Sequence, residues 1–163
     1  MPSFDAVSKV DEQEADNAVN QVIKELQTRY DLKNSKCTVE FDKKELLITI
    51  FAVDKMKLKA LTDILNEKMS KRGIGVRALD YKDPEDATGG AFRQKVKLKQ
   101  GISQDDGKLI VKAVKELNLK KVTAQIQQEQ VRITGPKRDD LQAVIAGLKE
   151  KINLELQFVN FKD

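Results

Sequence analysis

The sequence predicts an α+β protein in which one strand–helix–strand–strand–helix–strand unit occurs twice. The first observation is that the hydrophobic period changes in this order on both sides of residues 83–90. The second is that the apolar positions of the helices in the two halves match at constant spacings. Two such βαββαβ units are most simply two ferredoxin-like sandwiches in tandem, each an antiparallel four-stranded sheet with two helices on one face.

The elements follow one another in the same order in both halves. The first half is predicted to contain a strand, a helix, two strands, a helix and a strand, at 3–10, 12–30, 36–41, 45–52, 55–72 and 74–81. The second half is predicted to contain the same elements at 91–99, 104–118, 121–127, 130–134, 137–150 and 154–161. The first helices of the halves share an apolar stripe, formed by Ala18, Val19, Val22, Ile23 and Leu26 and then by Leu109, Ile110, Ala113, Val114 and Leu117.

The segment between the halves combines Asp-Pro with small residues and Gly-Gly, which is typical of a solvated connector. We therefore predict a first domain at 1–85, a linker at 86–90 and a second domain at 91–163. Residues 1–90 carry 15 basic and 17 acidic side chains, whereas residues 91–163 carry 15 basic and 9 acidic ones, so the second domain is predicted to be the basic one. The leading strands of the halves can be exchanged without altering any sequence pattern, which leaves a second topology open.

The composition excludes several classes of catalytic site. The chain has no His, which removes Ser-His-Asp and Cys-His arrangements and His-based metal sites, and its single Cys excludes an internal disulfide. The N-terminus lacks the features of a signal peptide, so the cytoplasm is the expected compartment. We expect a binding protein with no enzymatic activity, no metal, no cofactor and no membrane association.

The strand at 91–99 is the most informative segment for function. Alternate residues of a strand project to one face, so Arg93, Lys95, Lys97 and Lys99 are predicted to share the open face of the second sheet. Gln125 and Arg132, on the two following strands, are predicted to join them. Such a cationic, amide-rich face suits phosphates and polar base edges, with Phe161 as aromatic support. The alternative is a surface strand whose lysines oppose aggregation.

A second candidate site is the turn that precedes the last helix. Gly135 and Pro136 are followed by Lys137 and Arg138, so cations and free helix amides converge where an anion such as phosphate would be favoured. The alternative is an ordinary turn followed by a solvated first helical turn.

Several short segments resemble the YajQ family of bacterial nucleotide-binding proteins. They are Met1-Pro2-Ser3-Phe4-Asp5, Asp16-Asn17-Ala18-Val19, Thr28-Arg29-Tyr30-Asp31, Lys71-Arg72-Gly73-Ile74, Gln130-Val131-Arg132-Ile133-Thr134-Gly135, Arg138-Asp139-Asp140-Leu141-Gln142 and Leu156-Gln157-Phe158-Val159-Asn160-Phe161. The resemblance implies tandem RNP-like domains that bind RNA, including tRNA, or guanine nucleotides, with cyclic di-GMP as a ligand of some members, and no catalysis. Pro136 stands where the family usually has Lys, which weakens the turn as an anion site.

The predicted function is nucleotide or RNA binding through the cationic sheet face and adjacent loops. RNA-recognition motifs stack bases on aromatic residues of their central strands, whereas here those strands contribute only Phe51, with Phe4 and Phe92 on the leading strands. Any RNA binding is therefore expected to be mainly electrostatic. The alternative function is a protein-interaction adaptor whose partner binding is regulated by a nucleotide.

Overall fold

The computed structural model describes residues 1–163 and contains nine strands and four α-helices. In chain order they are β1 (Ser3–Val7), α1 (Glu12–Thr28), β2 (Thr38–Asp42), β3 (Leu47–Ala52), α2 (Lys55–Lys71), β4 (Leu79–Tyr81), β5 (Glu85–Asp86), β6 (Phe92–Leu98), α3 (Gln104–Glu116), β7 (Thr123–Gln127), β8 (Gln130–Thr134), α4 (Arg138–Lys151) and β9 (Gln157–Lys162). A short 3₁₀ helix lies at Val76–Ala78, and residues 88–90 form a turn in which Gly89 and Gly90 have positive φ. Each predicted strand and helix is present, but the strand predicted at 74–81 is reduced to Leu79–Tyr81 after the 3₁₀ helix, and β5 was not predicted.

The chain forms two compact units, and one is inserted into the other. Residues 10–99 form the unit that we call the inserted unit, and residues 1–9 together with 100–163 form the split unit. The sheet of the inserted unit has the strand order β2-β3-β6-β4, with β5 also paired to β6. The sheet of the split unit has the order β7-β8-β1-β9. All pairs are antiparallel, which confirms the α+β class and the pair of ferredoxin-like sheets.

The leading strands are exchanged between the halves, so the predicted domains 1–85 and 91–163 are wrong. β1 lies between β8 and β9, and β6 lies between β3 and β4. The reason is that β6 follows β4 as an antiparallel hairpin, with Leu79 opposite Leu98 and Tyr81 opposite Val96. The inserted unit therefore places the leading strand of its βαββαβ unit last in the chain, as a circular permutant.

The predicted linker is also wrong, because residues 83–90 belong to this hairpin. Glu85 and Asp86 pair with Arg93 and Phe92 of β6, and the amide of Ala87 donates to the carbonyl of Ala91 at 2.8 Å. β4 and β5 thus lie along one edge of β6, interrupted around Pro84. The predicted charge asymmetry disappears as well. The inserted unit carries 18 basic and 16 acidic residues, and the split unit carries 12 and 10, so each has a net charge of +2.

Each unit has its own apolar core between its sheet and its two helices. Three of the four helices begin after a residue type that favours the N-cap position: Asp11, Asp54 and Ser103 accept hydrogen bonds from amides of the first helical turn. In the inserted unit Val96 and Leu98 of β6 face α1 and α2 together with Ile48 and Ile50 of β3. The predicted stripe of α3 is largely buried, but Leu109 is 55% exposed, since the buried face of the helix is centred on Ile110 and Val114.

The pairing of β9 with β1 contains a bulge. Asp5 lies opposite Val159 and Ser3 lies opposite Lys162, so two residues of β9 oppose Phe4. Asn160 occupies the left-handed region with φ 57°, a conformation that asparagine tolerates better than most residues. The bulge brings the Asn160 amide to the Asp5 carboxylate at 2.9 Å and places Phe161 against Phe4. Phe161 therefore stacks on a core residue, and the prediction that it supports the open face is wrong.

Candidate functional site

Helices pack against one face of each sheet, and the predicted site residues on the strands lie on the other face. We call the open face of the inserted unit the cationic face, defined by Arg93, Lys95, Lys97 and Lys99 with Leu47, Thr49 and Phe51 of β3. We call the open face of the split unit the amide face, defined by Thr123, Gln125, Gln127, Gln130, Arg132 and Thr134. The single face predicted from the sequence is thus divided between two units, because β6 and β8 belong to different sheets.

The cationic face is organised by the register of β3 and β6. Arg93 lies opposite Phe51, Lys95 opposite Thr49 and Lys97 opposite Leu47. The alternation of β6 is as predicted: Arg93 and Lys95 are exposed, whereas Val96 and Leu98 are buried. Two residues of an antiparallel strand advance by about 6.8 Å, so the cations form a row of regular spacing along the middle of the sheet.

The four cations of this row differ in how far they are already engaged. Arg93 lies over the ring of Phe51, with its guanidinium carbon 6.0 Å from the ring centroid. Lys95 forms neither an ion pair nor a side-chain hydrogen bond, whereas the ammonium of Lys97 donates to the carbonyl oxygen of Glu45. The pKa of Asp80 is lowered mainly by a 2.6 Å hydrogen bond from Lys82, and the charge of Lys99 lowers it further. Arg93 and Lys95 are therefore the cations most open to an anionic ligand.

Acidic residues border the row on both edge strands. β2 presents Glu40 opposite Thr49 and Asp42 opposite Leu47. On the other side Asp80 lies opposite Lys97, and Glu85 lies opposite Arg93. Sequence reasoning missed this border because it assigned β6 to the other sheet. The acidic residues on both sides confine the positive electrostatic potential to the central strand β6. A narrow strip of positive potential suits a single-stranded phosphate chain better than a wide duplex.

The amide face contains an ion pair that sequence reasoning also missed. The carboxylate of Asp5 is only 1% exposed and accepts hydrogen bonds from Arg132 Nε at 2.9 Å and from Asn160 Nδ2 at 2.9 Å. The hydrogen bond from Arg132 is the main cause of a lowered pKa at Asp5, and Asn160 lowers that pKa further. Arg132 is thus engaged in joining β8, β1 and β9.

The rest of the amide face is uncharged. Gln125 lies opposite Arg132, and Thr123 lies opposite Thr134. The signal for the buried pair was present in the sequence, as Asp5 interrupts an otherwise apolar strand between Phe4 and Ala6. With Arg132 neutralised by Asp5, the face offers hydrogen-bonding groups but no free cation on these strands.

The turn before α4 does not have the geometry of an anion loop. The amide of Gly135 donates to the carbonyl of Pro2 at 3.1 Å, and Pro136 has no amide hydrogen. Gly135 is required for packing, since a Cβ there would lie 2.9 Å from Val122 Cγ2. Lys137 is the exposed N-cap residue, and Arg138 pairs with Asp163. The structure therefore favours the alternative interpretation, an ordinary turn with a solvated first helical turn.

Comparison with known proteins identifies relatives over the whole chain. The family model described as "Nucleotide-binding protein YajQ-like" matches residues 2–162. A protein of Geotalea uraniireducens strain Rf4 is 52% identical over 163 residues, covering 99% of both chains, and one of Trichlorobacter lovleyi is 51% identical over 164 residues, covering all of both chains. A protein of Chloroherpeton thalassium is 47% identical over 161 residues, covering 98% of this chain and 97% of its own. All three are described as nucleotide-binding proteins.

None of the four α-helices combines the length and the apolar character that crossing a bilayer requires.

Proposed function

Because this chain belongs to the YajQ-like family of nucleotide-binding proteins, we propose that it binds single-stranded RNA on its cationic face and acts by binding alone. The observation that carries the proposal is the row formed by Arg93, Lys95 and Lys97 on the central strand β6, with Lys99 directly after the end of the strand. A row of regularly spaced cations matches a chain of phosphates better than one isolated phosphate. The location of the row on a central strand also argues against the protection of a sheet edge as its purpose.

Phe51 gives the proposed site a surface on which a base can stack. Its ring is half-buried at the centre of the sheet, and the guanidinium of Arg93 lies above it. Stacking on aromatic rings is tolerant of sequence because every base has a π-face. We therefore expect binding with weak sequence preference, in which phosphate contacts provide most of the affinity and Phe51 holds one base.

The test is a salt titration of a fluorescently labelled single-stranded RNA, followed by anisotropy. Each phosphate neutralised on a single strand contributes about 0.7 to the slope of log affinity against log salt. The double variant Arg93→Gln/Lys95→Gln should reduce the slope by about 1.4 and weaken binding at low salt. The matched control is Lys108→Gln/Lys112→Gln, which removes the same charge from α3 of the split unit. It should leave the slope unchanged.

Two results would contradict the proposal. If both double variants changed the slope equally, binding would follow net charge and not the cationic face. If wild type bound no RNA at low salt, the alternative would become the better proposal: a protein-interaction adaptor whose partner binding is regulated by a nucleotide.

The same assay tests guanine nucleotides as alternative ligands. Unlabelled GTP and cyclic di-GMP would be added to the preformed RNA complex at constant ionic strength. Displacement of RNA by cyclic di-GMP would extend the proposed site to cyclic dinucleotides. Absence of displacement would restrict the cationic face to RNA.

A further inference from the structure

Tyr30, in the segment between α1 and β2, is the most exposed large hydrophobic side chain of the protein. Its exposure is 90%, against 80% for Met56 and 65% for Met1. The ammonium of Lys33 lies 5.9 Å from the centroid of its ring. Single hydrophobic side chains are common on protein surfaces, so exposure alone assigns no role to Tyr30. The residues around it and its place beside the cationic face do.

The backbone of residues 29–36, which we call the tyrosine segment, is held in place by hydrogen bonds and by one buried side chain. The amides of Leu32 and Lys33 both donate to the carbonyl of Arg29, at 3.0 and 2.7 Å. The amide of Ser35 donates to the carbonyl of Leu32 at 3.0 Å. Leu32 is 1% exposed and packs in the core of the inserted unit. Tyr30 is therefore presented on an ordered segment, which reduces the entropy lost when a ligand stacks on its ring.

The tyrosine segment also carries two cations that no carboxylate neutralises. Arg29 pairs with Asp31 at 2.7 Å, so these two charges compensate each other. Lys33 and Lys36 form no ion pair. An exposed aromatic ring together with uncompensated cations is the combination on which proteins bind single-stranded nucleic acids.

The tyrosine segment leads directly to the cationic face of the same unit. β2 begins at Thr38, which lies opposite Phe51, and Phe51 lies opposite Arg93. Burial alternates from Lys36 to Glu40, with residues 36, 38 and 40 exposed and residues 37 and 39 buried. Lys36 therefore lies on the same side of the sheet as Phe51. It follows the line of β2 beyond the end of the row of cations at Arg93.

We propose that the tyrosine segment is a second base-binding position for the same single-stranded RNA. Tyr30 stacks on a base, and Lys33 and Lys36 contact phosphates between that base and the row on β6. The inference rests on the proposed function, because it extends the bound strand past Arg93. A short RNA occupies only one of the two positions, whereas a longer RNA occupies both and gains affinity, since the second contact is then intramolecular.

The test measures the affinity of the full chain for labelled oligouridines of about 4, 8 and 16 nucleotides, the range of sites on single strands. Tyr30→Ala should leave the binding of the shortest RNA unchanged and weaken that of the longest about five-fold, the lower range for loss of one base stack. Tyr30→Phe keeps the ring and should bind like wild type. The matched control is Leu109→Ala, which removes an exposed hydrophobic side chain from the split unit and should change nothing. All variants should keep the melting temperature of wild type, because both side chains are exposed.

Tyrosine emission gives a direct readout of contact with Tyr30, because the chain has no tryptophan and only two tyrosines. The other one, Tyr81, is half-buried, and its hydroxyl donates to Asn66 Oδ1 at 2.6 Å. The oligouridine of about 16 nucleotides should quench the emission of wild type. Tyr30→Phe binds the same RNA without this fluorophore, so its emission should fall only by the light that the RNA absorbs.

The outcomes separate this inference from the proposed function. If Tyr30→Ala bound all lengths like wild type while Arg93→Gln/Lys95→Gln weakened binding, the second position would be wrong and the proposed function would stand. An equal loss at every length would also overturn the second position, because Tyr30 would then act within the main site. If wild type bound none of the oligouridines, both proposals would fail.

Discussion

Each of the two units places an arginine on the open face of its sheet, and the two arginines have different surroundings. Arg93 and Arg132 both lie on interior strands. Arg93 forms no ion pair and lies over an aromatic ring, whereas Arg132 is held by the buried carboxylate of Asp5. A count of charged residues in the sequence does not distinguish these two arginines. The comparison teaches that a cation on a sheet face indicates an anion site only when no carboxylate of its own fold already neutralises it.

The largest expected effect concerns the units themselves. A fragment of residues 10–99 contains every strand and helix of the inserted unit and should fold alone, with a cooperative thermal transition and a dispersed amide spectrum. A fragment of residues 91–163 lacks β1, the strand between β8 and β9, and should remain unfolded. Circular dichroism and NMR spectra of both fragments provide the measurement.

Joining the two segments of the split unit sharpens this prediction. The amide of Gly101 donates to the carbonyl of Ser8 at 2.6 Å, so the two points at which the chain leaves and re-enters the split unit are adjacent. Residues 1–9 connected by a short glycine linker to residues 100–163 should therefore recover the folded split unit. A folded 91–163 fragment, or an unfolded joined polypeptide, would contradict the strand exchange.

The second prediction removes the ion pair of the amide face. Asp5→Asn leaves the half-exposed Arg132 without a carboxylate and should destabilise the protein by about 2 kcal/mol, as expected for hydrogen bonds to a charged group. The control is Asp80→Asn, which breaks an exposed ion pair with Lys82 and should cost less than about 1 kcal/mol. Urea denaturation of the three proteins measures both values. If the two variants lost equal unfolding free energy, the burial of Asp5 would contribute nothing to the strength of its ion pair.

The pH dependence of stability follows from the direction in which folding changes the pKa of Asp5. Its pKa is lowered in the folded protein, so the unfolded chain binds the proton more readily. The pair therefore stabilises the fold fully above the ordinary value of 3.8, and this stabilisation is lost as the pH falls through the lower folded value. The difference in unfolding free energy between wild type and Asp5→Asn should be constant from neutral pH to about pH 4 and shrink below it. A difference that grows with acidification would contradict the assignment.

The smallest expected effect separates stacking from charge on the cationic face. Phe51→Leu keeps an apolar side chain in β3 but removes the ring under Arg93. RNA affinity should fall by about 1 kcal/mol, the lower range for loss of one base stack, whereas the salt slope should stay unchanged. Anisotropy titrations at two salt concentrations measure both quantities. A change in slope would show that Phe51 acts by positioning Arg93.

The positions of the elements could be predicted from the sequence because they depend on local periodicity. Val96 and Leu98 alternate with cations in β6, and Phe4 and Ala6 alternate in β1, so the inward face of each strand is evident. The sheet that each strand joins is not a local property. Both cores require an alternating apolar strand at the same place, and either leading strand meets that requirement. The acidic segment 83–90 resembles a connector because its hairpin contacts are made with β6 and not within the segment.

The candidate site could be predicted only in part, because only part of it depends on local periodicity. The shared face of Arg93, Lys95 and Lys97 follows from the period of a strand and agrees with the alternating burial of β6, whereas Lys99 lies just after the end of the strand. Their neighbours depend on strand order, so Gln125 and Arg132 lie on a different sheet from them. The neutralisation of Arg132 involves residues 127 positions apart and depends on tertiary structure.

The insertion of one unit into the other also sets an order of events during synthesis. β1 is translated first, but β8 is complete only at Thr134 and β9 only at Lys162, after the inserted unit has ended at Lys99. At roughly 5–20 residues per second, the first strand waits several seconds beyond that point without its partners. During this interval Asp5 keeps a charge in the middle of an apolar segment, and such charges oppose aggregation of unfolded chains. We therefore expect the carboxylate that later binds Arg132 to protect the strand until Arg132 has been made.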